Sequence, residues 1–97
     1  MYIDFKLYCG STTVIKIPTG YILTGATVTN IKIQYPDLTT ATWIGTIDPN
    51  DPTCIKYTTL VNDLSQVGVH SYQVYVEKNG LKLWGNSQTF EVFEKFK

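Results

Sequence analysis

At 97 residues the chain has room for one two-layer hydrophobic core and not for two. Eight lysines and no arginine balance eight acids, so the formal net charge is zero and the lysines are scattered singly. That excludes the clustered cationic face that phosphate contacts need, and no apolar run approaches the ~18 residues of a membrane span.

The start, Met1-Tyr2-Ile3-Asp4-Phe5-Lys6, lacks the basic and then apolar pattern of a signal peptide, so synthesis in the cytoplasm is expected. Residues 2–8 alternate, with Ile3, Phe5 and Leu7 on one face and Tyr2, Asp4, Lys6 and Tyr8 on the other, which predicts a half-buried strand. Residues 9–12 break it, and residues 13–17 resume an extended pattern that Pro18 ends or marks as an edge. In residues 27–35 the apolar period slips by one between Val28 and Ile31, and a β-bulge near Thr29 and Asn30 is expected to absorb the slip. Pro36 and Asp37 begin a turn, after which residues 41–47 form the next strand with Trp43 pointing inward.

Residues 48–52 carry two prolines among turn-prone polar residues and are expected to form a surface loop tip. Residues 54–60 form a strand with Ile55 and Tyr57 inward. Residues 62–66 then cross between sheets, with one helical turn capped by Asn62 or Asp63 as an option. From Val69 onward His70, Tyr72, Val74 and Val76 share the core face of the longest strand, while Ser71, Gln73, Tyr75 and Glu77 face out. Asn79-Gly80 between two alternating runs is a strong hairpin signal. Residues 81–84 pair back, residues 85–87 interrupt the return, and residues 88–96 complete the last strand.

Seven to eight short, mostly antiparallel strands with turn signals every 8 to 12 residues describe an all-β, immunoglobulin-like β-sandwich occupying residues 1–97 as a single domain. A closed five-stranded barrel is the competing architecture. Trp43 and the turn at Gly68 favour the sandwich.

Chemistry-bearing residues are few. His70 is the single histidine, and Asp63, Ser65 and Ser71 are its nearest candidate partners in sequence. The stronger reading pairs Gly68 and His70 as a structural corner, with a ring nitrogen bonded to the preceding turn. Asp48, Asn50 and Asp51 alternate oxygen ligands, but Pro49 and Pro52 intervene and no distal glutamate completes a calcium loop. Cys9 and Cys54 fall short of the four ligands of a structural metal site. They leave either one disulfide or two reduced thiols, and a cytosolic site of synthesis favours the thiols. No catalytic, cofactor or metal residues are therefore assigned, and the chain is expected not to be an enzyme. Tyr2, Tyr8, Tyr75 and Trp84 are predicted outward and form the candidate partner interface, for a protein or for stacking against a sugar.

Several framework segments carry a family resemblance: residues 23–27, Ile31-Lys32-Ile33 before Pro36-Asp37, Thr42-Trp43, residues 55–58, Asp63-Leu64 with Val67-Gly68, residues 73–77, and Phe90-Glu91-Val92. Over most of the chain from Leu23 onward, the pattern resembles the small immunoglobulin-like virion proteins of tailed bacteriophages. It is similar to the amino-terminal domain of baseplate upper proteins. The resemblance implies a decoration or accessory subunit made in the host cytoplasm and located in the virion, bound to capsid or tail subunits, with self-association as a further option. The alternative it leaves is an adhesion module of the virion that binds host-surface carbohydrate. Where similar sequences place an aromatic after the corner glycine, this chain has Val69-His70, and its 48–52 loop is expected to be longer and richer in proline.

Overall fold

Strand alternation along residues 68–78 sets the architecture. In the computed structural model, which describes residues 6–96, β7 (Gly68–Lys78) buries His70, Tyr72, Val74 and Val76 and turns the residues between them outward. On one flank it pairs with β3 (Val28–Gln34). On the other it pairs first with β9 (Gln88–Phe93) and then with β8 (Leu81–Trp84). β1 (Leu7–Tyr8) joins β9 in parallel, and β4 (Thr40–Ile44) closes the far side, giving the order β1-β9-β7-β3-β4 with β8 on β7. A second sheet has the order β2-β6-β5, built from β2 (Val14–Pro18), β6 (Asp51–Thr58) and β5 (Thr46–Asp48). Among the described residues there is no helix, and no strand pairing joins the two sheets into a barrel.

Both sheets feed one hydrophobic cluster. Ile15, Ile17 and Ile55 from the smaller sheet meet Ile31, Ile33, Trp43, Tyr72, Val74, Val76 and Val92 from the larger. The Trp43 indole stacks on the Tyr57 ring across the layers, with centroids 5.0 Å apart and planes 12° apart. Each fully buried side chain of this size contributes about 1.5–3 kcal/mol of transfer free energy.

Four local expectations are corrected. The β3 strand carries no bulge. Its register with β7 runs unbroken from Val28↔Glu77 to Gln34↔Ser71, and the inward position is Thr29 rather than Val28. A threonine fits there because its hydroxyl donates to the Gly45 carbonyl at 3.0 Å, so the buried oxygen has a partner. Residues 41–47 are two strands in different sheets, and the chain changes layers at Gly45. A Cβ at Gly45 would collide with the Ile55 side chain and crowd the Thr29 and Lys56 carbonyls, so glycine lets the chain pass. The expected loop tip at 48–52 narrows to the exposed two-residue turn Pro49-Asn50, because Asp48 ends β5 and pairs with Asp51 at the start of β6. Asp48 is buried and accepts an ion pair from Lys16 at 3.2 Å. The last strand ends at Phe93 rather than at residue 96.

The β7–β8 hairpin forms at Asn79 (φ 54°) and Gly80 (φ 76°), the double positive φ of a type I′ turn. The crossing after β6 is a turn rather than a helical turn. Asp63 accepts the Leu60 amide at 2.7 Å and the Tyr57 hydroxyl at 2.6 Å, tying that turn to the ring that stacks on Trp43.

Candidate functional site

The outer face of the larger sheet collects the polar and aromatic residues that alternation excludes from the core. The two-residue hairpin pairs Lys78 with Leu81 and therefore Tyr75 with Trp84. Their rings lie 4.7 Å apart at 52°, and Trp84 is 57% exposed. From β3, Lys32 places its Nζ 5.4 Å from the Tyr75 ring centroid and donates to Thr42 Oγ1 at 3.2 Å. The Tyr75 hydroxyl donates to Glu77 Oε2 at 2.8 Å, and that bond to a carboxylate raises the phenol pKa. Beside Trp84 a groove of about 520 Å³ is lined by Lys32, Gln34, Thr42, Ser71 and Gln73. Gln73 is fixed by donating its amide to the Gly85 carbonyl at 3.1 Å. The groove thus combines an aromatic wall with amide, hydroxyl and ammonium groups. It offers stacking and hydrogen bonding, with no carboxylate among the residues that line it.

Of the four predicted interface residues, the structure brings Tyr75 and Trp84 together. Tyr8 also faces outward, since Leu7 beside it is buried, but β1 lies beyond β9 and Tyr8 pairs with Phe93, 6.5 Å between ring centroids. Because Val92 pairs with Gly68 at the start of β7, that cluster lies more than about 20 Å along the strand from Tyr75. Lys6 holds its Nζ 4.6 Å from the Phe93 centroid. Tyr2 lies outside the described residues. Sequence reasoning passed over Lys32 and Gln73, which the structure adds to the candidate site. The signal for Lys32 was its place between the inward Ile31 and Ile33, while nothing local showed that it would stand over Tyr75.

Gly68 and His70 sit at the opposite end of β7. His70 is fully buried, its ring stacked on Phe90 at 4.8 Å and edge-on to Tyr35 at 5.4 Å. Its Nδ1 lies 3.1 Å from the Gly68 carbonyl, which only accepts, so Nδ1 is the protonated nitrogen. Nε2 is buried without a polar partner among the described residues. Burial pushes the imidazole pKa below its ordinary value, and the Gly68 bond opposes this. Gly68 itself takes φ 126°, and a Cβ there would crowd Pro36.

The remaining reactive groups are engaged locally. Asp51 accepts the Thr53 amide and hydroxyl, and the described residues include no cluster of three or more His, Cys, Asp or Glu that could hold a metal ion. Cys9 and Cys54 are both free thiols, and burial pushes the Cys54 pKa up. No protein-family model matches the chain, and no curated protein or solved structure is significantly similar to it.

Proposed function

We propose that the chain is an immunoglobulin-like β-sandwich serving as a non-enzymatic virion structural protein of a tailed phage. It acts as a decoration or accessory subunit that docks on a capsid or tail scaffold through the outer face of its larger sheet. The immunoglobulin-like reading is supported by the β2-β6-β5 sheet facing β1-β9-β7-β3-β4, by the parallel β1–β9 pair, and by the layer switch at Gly45. The docking reading is carried by one observation: the Tyr75–Trp84 pair stands on the outer face of the larger sheet, with Trp84 57% exposed and Lys32 and Glu77 in contact with Tyr75. Exposed tyrosine and tryptophan are enriched in interface cores, and the flanking charges suit a polar rim. The phage assignment rests on the sequence resemblance.

The test is incorporation. Gradient-purified particles are expected to contain the chain, and Trp84→Ala is expected to lower its occupancy while leaving the circular dichroism unchanged. Recovery of the chain only from lysate, never from particles, refutes the assignment.

The groove beside Trp84 supports a second reading, a carbohydrate-binding adhesion module, because an indole wall beside amide and hydroxyl groups suits a pyranose ring. Tryptophan fluorescence unmoved by sugars, together with a blank glycan array, eliminates it.

A further inference from the structure

We infer that β4 is a self-pairing edge, and that two copies of this chain join antiparallel along it to make one continuous sheet. This goes beyond the docking reading and stands independently of it. Sheet edges are open templates for pairing unless they are short, bulged, charged or interrupted by proline. Among the described residues the other edges carry such protection. β1 has two residues, β2 carries Lys16 and Pro18, β5 has three residues with a register break, and β8 carries Lys82. β4 is Thr40-Ala41-Thr42-Trp43-Ile44, with no charge, proline or bulge, and among the described residues no strand pairs with its far side.

The hydrogen-bond phase of this edge is set by its two ends. Tyr35 N–H donates to the Thr39 carbonyl at 2.8 Å and Gly45 N–H to the Thr29 carbonyl at 3.1 Å. Antiparallel pairs alternate between bonded and non-bonded, so Ala41 and Trp43 spend their main-chain groups on β3. Thr40, Thr42 and Ile44 aim theirs away from the sheet.

A two-fold axis at Thr42 places Thr42 opposite its own copy and Thr40 opposite Ile44. Every outward donor then meets an outward acceptor, in about six main-chain bonds. The side chains complement one another in the same register. Ala41 faces Trp43 across the axis, small against large, and Ile44, 77% exposed, covers the partner's Thr40. Like charge comes nearest at the two Lys32 ammoniums, each of which donates to Thr42 Oγ1 at 3.2 Å and so flanks the axis, and the dimer is therefore expected to tighten as salt screens them. A foreign strand meets the same hydrogen-bonding groups but has no reason to match this two-fold register. A five-residue edge buries much less than the ~1,200 Å² of a stable interface, so the dimer belongs to high local concentration, as on an assembled scaffold. There it sets two Tyr75–Trp84 platforms on one face, which favours multivalent attachment.

The test is sedimentation of the full chain from about 10 μM to about 1 mM, together with cysteine trapping on a Cys9→Ser background. The unsubstituted chain is expected to shift from monomer to dimer across this range. Thr42→Pro removes an N–H that faces away from β3 and is expected to weaken the dimer about 30-fold with an unchanged melting temperature. Should that variant fold poorly, Thr42→Lys sets two charges on the axis and is expected to abolish the dimer. Thr42→Cys is expected to cross-link on mild oxidation, because bonded pairs hold their Cα atoms about 5.5 Å apart, within disulfide range. Ile44→Cys is expected not to, since its copy lies about 13 Å away. A monomer at every concentration, a dimer indifferent to both Thr42→Pro and Thr42→Lys, or equal cross-linking of the two cysteine variants overturns the proposal.

Discussion

Thr29→Val tests whether the layer switch at Gly45 is held by a hydrogen bond or by apolar packing alone. The substitution keeps the shape and β-branching of the side chain and removes one donor. The Thr29 hydroxyl donates to the Gly45 carbonyl at 3.0 Å, both residues are buried, and the Gly45 amide returns a bond to the Thr29 carbonyl at 3.1 Å. Leaving a buried acceptor without this partner costs about 1–3 kcal/mol. The methyl that replaces the hydroxyl returns about 0.8 kcal/mol of burial. The balance is a loss of about 1 kcal/mol, or about 4–8 °C in melting temperature for a domain of this size. Urea unfolding followed by tryptophan fluorescence measures it, and the midpoint should fall with the slope unchanged. A valine variant as stable as the parent, or more stable, refutes the reasoning. It would mean that position 29 is governed by apolar periodicity alone.

Three further outcomes follow from other parts of the molecule. Val74→Asp buries an unpaired charge among core residues and should cost more than about 3 kcal/mol, whereas Tyr75→Ser on the opposite face should lose only the ~1 kcal/mol of its ring contact with Trp84. Equal thermal losses in the two variants would contradict the face assignment along β7. His70 gives the pH dependence: its folded pKa lies below the ordinary 6.5, so stability is full above 6.5 and declines as pH falls through that value, where the unfolded chain takes up a proton that the fold resists. Melting temperature against pH should therefore decline less steeply in His70→Gln than in the parent, and parallel curves would count against this. Tyr57→Phe and Asp63→Ala remove the two ends of a 2.6 Å bond, and a double-mutant cycle should return a coupling of about 1–2 kcal/mol. Strict additivity would show that the bond does not anchor the turn.

What the sequence discloses and what it conceals divide along the range of the interactions. The β7 faces follow from period-two alternation, and the Tyr75–Trp84 contact follows from counting outward from Asn79-Gly80, because a two-residue turn that pairs residue 78 with 81 must pair 75 with 84. Residues 41–47 read as one strand because Trp43 and Ile47 keep the same parity across Gly45, and parity says nothing about which sheet a residue joins. The Thr29 hydroxyl looks like a break in the pattern until its acceptor, sixteen residues away, is in place. Asp48 looks like a loop residue until Lys16 arrives from β2. The same limit applies to the candidate site. Its aromatic pair is local to one hairpin, whereas Lys32 and Thr42 reach it only through the pairings of β3 with β7 and with β4. Tyr8, outward by the same alternation, is carried away because β1 joins β9 beyond the start of β7. Alternation can therefore nominate outward residues, but only sheet order decides which of them form one surface. The candidate surface accordingly comprises Tyr75, Trp84 and their neighbours on β3 and β4 rather than a single aromatic stripe running from Tyr8.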